Sequence, residues 1–107
     1  MLYLDPPRTV PKDHPTAPAC FRGKPASHLL ADSRKELLEY ARSLGLKDEW
    51  LQAPGTYREH FDLTGRALEK ALADERVRKV SVRELAALFQ DRWASRKRRR
   101  RLRREVA

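Results

Sequence analysis

The sequence predicts an α/β or α+β fold: a small three- to four-stranded sheet packed by about three helices, in a single domain with a basic C-terminal extension. Three observations carry this expectation. Short apolar or alternating runs of strand length alternate with segments whose apolar residues recur at helical period. Two Ser-x-x-Glu capping boxes and one Gly-Leu helix stop punctuate those segments. The charge, finally, divides the chain of 107 residues into two parts. Residues 96–107 hold eight of the 24 Lys/Arg but only one, Glu105, of the 15 Asp/Glu, so they carry +7 of the total +9 and the rest only +2. The expected organisation is a compact domain over 1–95 and a basic arm over 96–107.

Leu2-Tyr3-Leu4-Asp5 reads as a first strand, stopped by Pro6-Pro7. Six of the seven prolines fall within 6–25. Proline has no amide donor and a fixed φ, so a stiff loop without helix or central strand is expected over 6–26. A second strand spans Ser27 to Asp32. Ser33-Arg34-Lys35-Glu36 has capping-box spacing, and Leu37, Leu38, Ala41 and Leu44 form an apolar stripe ended by Gly45-Leu46. Trp50 is expected in the core, and Ala53-Pro54-Gly55-Thr56 is a turn. Residues from Tyr57 to Leu63 alternate as a third strand. Thr64 is placed to cap a second helix with Ala67, Leu68, Ala71 and Leu72 inward. Arg76 to Val80 reads as an edge strand. Ser81-Val82-Arg83-Glu84 then opens a third helix with Val82, Leu85, Leu88, Phe89 and Trp93 inward.

Composition excludes several classes. No apolar run approaches the ~20 residues of a membrane span. The start lacks a basic and then apolar leader, so a cytoplasmic chain without membrane association is expected. One cysteine, Cys20, permits no internal disulfide and no multi-cysteine zinc site, and fits a reducing compartment as a small inert residue.

The chemistry-bearing candidates sit at strand ends. Asp5, Asp32 and Asp62 each lie at or near the end of an expected strand. In open sheets of parallel strands, ligands gather beyond the carboxyl ends, and there the three acids would converge as ligands of a divalent metal. Alternation sets His28 on the face of Asp32, and His60 on the face of Asp62. Either histidine suits a metal ligand or a general base, with Asp62 as its partner. The structural alternative stands beside this: Asp32 as a helix cap, Asp5 as a turn starter, His60 and Asp62 on a solvated strand. His14 has no positional partner and is expected only at the surface.

The order Leu2-Tyr3-Leu4-Asp5, Ser27-His28 to Asp32, Leu44-Gly45-Leu46, Trp50-Leu51-Gln52 and His60-Phe61-Asp62-Leu63 resembles the bacterial and phage domain of unknown function 4031 family. The resemblance spans about residues 2–90. It implies a small cytosolic domain with no assigned activity, and it implies a site at His28, Asp32, His60 and Asp62 with Trp50 and Gln52 close by. The chain departs from the family pattern at Leu38, where many relatives carry a histidine; the proline loop and the basic arm are expected to be peculiar to this member.

The arm consists of Arg96, Lys97, Arg98, Arg99, Arg100, Arg101, Arg103 and Arg104, interrupted only by Leu102. A run of one sign on a nearly neutral body points to phosphate neutralisation, hence to RNA, DNA or a nucleoprotein assembly as partner. Leu102 offers too little to insert into a bilayer. Two functions follow: a non-catalytic accessory that binds nucleic acid through the arm, or a metal-dependent phosphoester hydrolase built on the His/Asp cluster. Oligomeric state is not legible.

Overall fold

The computed structural model describes residues 1–90, with elements in the order β1 (Leu2–Leu4), β2 (Arg8–Thr9), β3 (Pro25–Ala31), α1 (Arg34–Ser43), a 3-10 turn at Asp48–Trp50, β4 (Phe61–Thr64), α2 (Gly65–Ala73), β5 (Val77–Lys79) and α3 over 82–90. Trp93 and the arm lie outside the described residues. The fold is α+β, a five-stranded mixed sheet with helices on both faces.

β3 is the central strand. On one edge it pairs antiparallel with β4 from Ala26↔Thr64 to Leu29↔Phe61. On the other it meets β1 and then β2, both antiparallel. β1 pairs Leu4 with Leu29, whereas β2 pairs Arg8 with Ala26. Asp5, Pro6 and Pro7 thus oppose only Ser27 and His28, a bulge where proline cannot donate to the ladder. The stretch expected to be loop over 6–26 therefore contributes a short strand, and β3 begins at Pro25, the first-residue position a strand tolerates for proline. β5 closes the far edge of the sheet, parallel to β1.

Two apolar layers flank the sheet. Alternation sends Leu2, Leu4, Leu29, Ala31, Phe61, Leu63 and Val77 to one side, against Leu37, Tyr40 and Ala41 of α1 and Leu68 and Ala71 of α2. It sends Tyr3 and Leu30 to the other side, with Val80, Leu85 and Phe89. The Tyr3 and Phe89 rings meet edge to face at 5.6 Å, a geometry the aromatic quadrupole favours.

The helix ends follow their signals with one exception. Ser33 Oγ accepts from Glu36 N at 3.2 Å, and Ser81 Oγ accepts from Glu84 N at 3.1 Å. Gly45, at φ 86, lets its own amide reach Arg42 O and that of Leu46 reach Ala41 O, the paired bonds of a Schellman stop. Thr64 occupies the cap position of α2, but its hydroxyl donates across the sheet to Pro25 O at 2.9 Å and caps nothing. On α1, the Tyr40 hydroxyl donates to Asp74 at 3.0 Å. Burial and this bond push its pKa up to about 12.

Three expected core residues are at the surface. Trp50 is 48% exposed, with Lys47 Nζ 5.7 Å from its ring; Leu72 and Val82 are also exposed. Each sits at an element's edge, where the apolar stripe of its segment is wider than the surface covering it. Cys20 is exposed as well.

Candidate functional site

Antiparallel pairing places three polar residues in one row across the sheet. Asp62 on β4 is the register partner of His28 on β3. Asp5, just past the end of β1, lies on the opposite side of His28, to whose carbonyl its amide donates at 3.3 Å. His60 precedes Asp62 by two residues and so shares its face. The His28 and His60 rings meet at 4.9 Å, close to perpendicular.

Each side chain is held from behind. As the chain bulges at Pro6-Pro7, the Asp5 carboxylate enters the ladder. Its Oδ1 accepts the His28 amide at 2.6 Å, while its Oδ2 accepts Nδ1 of the same residue at 2.6 Å. Asp5 is 5% exposed, so both oxygens of a buried carboxylate are committed to one histidine. His60 Nδ1 donates to Arg58 O at 2.5 Å. The His60 main chain forms a two-bond bridge with Gln52, at 2.8 and 3.2 Å. The loop between them is pinned by Glu59, which accepts from Arg34 at 2.8 Å and from the Gly55 amide at 3.2 Å.

These bonds fix the tautomer of each neutral ring. Carboxylate and carbonyl oxygens only accept, so Nδ1 of each neutral histidine carries the proton and Nε2 presents the lone pair, whereas in a protonated ring Nε2 carries a proton that faces Asp62. Both Nε2 atoms face one oxygen. His60 Nε2 lies 3.2 Å and His28 Nε2 3.6 Å from Asp62 Oδ1, and one ligand atom from each residue lies within 4.8 Å of the others. Two neutral imidazoles and a carboxylate form a donor set for a borderline divalent ion such as zinc, iron or manganese, with the remaining positions open. Asp5 stands where an outer carboxylate orients a ligating histidine.

Electrostatics follow the same geometry. The hydrogen bond that His28 donates to Asp5 raises the His28 pKa against the cost of partial burial, and the charges of Asp5 and Asp62 add to it. Burial disfavours ionisation of Asp62, yet the hydrogen bond and charge of His60, with the charge of His28, outweigh it and hold its carboxyl below the usual value.

The expected cluster is therefore assembled only in part. His28, His60 and Asp62 come together. Asp32 does not: β1 and β3 run antiparallel, so their carboxyl ends lie at opposite ends of the sheet. Asp32 lies four residues beyond His28, about 13 Å along the strand at ~3.3 Å per residue. It sits beside the Met1 amino group, at 3.4 Å. Asp5 is present beside His28, and each of its oxygens accepts a hydrogen bond from that residue. His14 is not isolated either. Its Nδ1 accepts the Ala17 amide at 3.0 Å and shapes the turn in the proline loop.

Two clefts flank His28. One, of about 480 Å³, is bounded by Arg8, Thr9, His14, Gln52 and Asp62; the other, of about 400 Å³, by Leu30, Tyr57, Arg58, Leu85 and Phe89. Arg8 and Arg58 were not among the residues singled out from the sequence. The only pointer to Arg8 is a β-prone Arg8-Thr9-Val10 triplet directly after the proline pair. Arg58 alternates with His60 and Asp62 in the sequence, but the strand expected from Tyr57 begins only at Phe61, and Tyr57 and Arg58 lie in the turn before it.

Among the described residues, no helix is long and apolar enough to cross a membrane. Residues 10–92 match the family model described as Protein of unknown function (DUF4031). The match includes His28, His60 and Asp62 and leaves out Asp5 and the arm; it begins within the proline loop, which is therefore largely inside the matched region and not set apart from it as expected. No curated protein matches the chain, and no solved structure does.

Proposed function

We propose, for a chain that belongs to the DUF4031 family, that its domain binds a divalent transition-metal ion through His28, His60 and Asp62. The observation that carries this reading is the convergence of two Nε2 lone pairs and Asp62 Oδ1 within 4.8 Å, each histidine held in the required tautomer by an acceptor behind it. Nitrogen donors select zinc, manganese or iron over magnesium, which prefers oxygen ligands and keeps its waters. Three protein ligands leave room for water or a substrate oxygen, as in catalytic rather than structural centres. Isothermal calorimetry tests it: zinc binds at one site per chain, and His60→Ala loses the heat. A wild-type chain that gives no heat and no thermal shift with zinc or manganese overturns the reading.

A second observation, the +7 arm on a +2 body, supports association with RNA, DNA or a nucleoprotein assembly. The eight cations would release counterions from duplex phosphates, with a salt slope approaching about −7 if all engage. Removing residues 96–107 abolishes retention on nucleic acid at low salt. Undiminished retention of the shortened chain overturns this second reading and leaves the first untouched.

A further inference from the structure

We infer that the centre takes an organic phosphate ester of nucleotide type, its phosphoryl group on the Arg8 side and its planar group in the cleft under α3. This rests on the metal reading above and names the substrate class of that same site.

The two sides of His28 differ in chemistry. On the first, Arg8 stands at the cleft that Asp62 and His28 also bound, close enough for its charge to act on His28. Arg34, Arg42 and Arg76 are each tied into an ion pair, whereas Arg8 forms none among the described residues. With a divalent ion bound, the charges of Asp62 and of Asp5, which sits against His28, offset the ion. Arg8 and Arg58 at the flanking clefts then supply the surplus positive charge, suited to a dianionic group. A phosphate monoester meets that need with three terminal oxygens: one for the ion and two for a guanidinium fork. A carboxylate has half the charge and too few oxygens for both.

On the second side the walls are apolar. Leu30, Leu85 and Phe89 line a cleft whose edge carries Tyr57 with the Arg58 guanidinium 5.2 Å over its ring. Arg58 Nε also donates to the Tyr57 hydroxyl at 2.9 Å, which ties the two side chains together. A planar guanidinium on an aromatic ring is a surface on which a nucleobase stacks. His28 belongs to both walls, so a ligand that reaches from the ion into the apolar cleft passes over it.

The test uses the full chain loaded with zinc and titrates thymidine 5′-monophosphate, inorganic phosphate and thymidine in parallel, at a salt concentration that silences the arm. The nucleotide binds at least about tenfold more tightly than either fragment, and Arg8→Ala and Tyr57→Ala each weaken it about tenfold with the zinc heat unchanged. If zinc binds but the nucleotide binds no better than phosphate, the substrate class is wrong and the metal reading stands. The substrate class fails equally if both variants bind the nucleotide as the wild type does. A chain that takes no zinc fails both.

Discussion

On one face of the sheet Leu4, Leu29, Phe61 and Leu63 lie fully buried under α1 and α2; on the other, one residue along the same strands, stand Asp5, His28, His60 and Asp62. The strands are common to both, so propensity does not separate the faces. Period-two alternation does, together with the extent of the cover. Two helices close the first face. Among the described residues, α3 closes the second only over Tyr3 and Leu30, and leaves the His28 side chain 55% exposed. A dry face sets the stability of such a sheet, and a half-covered face leaves room for polar groups that hydrogen-bond to one another and still reach solvent.

The largest expected effect comes from the dry face. Leu63→Ala removes a side chain with no exposure and costs about 2–5 kcal/mol, transfer and cavity together. Urea unfolding measures it. His60→Ala, on the other face of the sheet, costs less than about 1 kcal/mol, since His60 is partly open to water and its ring bonds only polar groups at the rim. Equal losses at the two positions would mean that the faces are not distinct in stability.

A middle effect is expected at Asp5, the one buried acid of the cluster. Asp5→Asn keeps the shape but gives up part of a charge-assisted pair of bonds, and costs about 1–3 kcal/mol. It also frees the His28 ring, so zinc affinity falls about 10–100-fold. A variant as stable as wild type but with weaker zinc binding would confine Asp5 to orienting the histidine. The reverse pattern would make it a structural acid alone.

Much of this contrast was legible in the sequence, and for identifiable reasons. The α1 ends, the Ser81 capping box and the edge position of β5 follow from local signals that tertiary contacts do not override. Alternation alone set His60 and Asp62 on one face. Strand direction has no such local signature, and the convergence expected of Asp5, Asp32 and Asp62 depended on parallel strands. Antiparallel pairing of β1 with β3 sent Asp32 to the Met1 end and brought Asp5 beside His28 instead. The β2 strand was hidden by its prolines, because the pairing edge of Arg8-Thr9 is decided by β3 and not by the local chain. Trp50 failed as a core residue for a similar reason: its bulk is read from the sequence, but the cover it needs is supplied by neighbours that are absent there.

A smaller effect separates the caps of the two layers. Ser33→Ala and Ser81→Ala each leave an orphan helix amide and each cost about 1 kcal/mol. Only the second loosens the helix that covers the polar face. It therefore weakens thymidine 5′-monophosphate binding to the zinc-loaded chain, which Ser33→Ala leaves unchanged. Equal effects of the two variants on nucleotide binding would place the aromatic cleft outside the ligand's reach.

The smallest effect is the pH dependence of the polar face, and its sign distinguishes the free cluster from the metal-loaded one. The His28 pKa is raised by Asp5 and then by Asp62, so without metal its protonated form favours the fold. That contribution is full below the ordinary value of about 6.5 and is lost as pH rises through the raised native value. Asp62, held below its usual value with His60 and His28 as partners, contributes above about 3.9 and loses it as pH falls through the lowered native value. Between these limits the metal-free chain has its widest margin from this cluster. The metal demands the opposite state of His28, because only the neutral ring offers Nε2 as a ligand. Zinc affinity must therefore rise with pH through the same interval in which the metal-free chain loses its histidine contribution. Calorimetry and urea midpoints at pH 5.5, 7 and 8.5 read the two trends against each other. If both rise together, the proton and the ion are not competing for His28, and the imidazole that Asp5 holds in place serves only the fold.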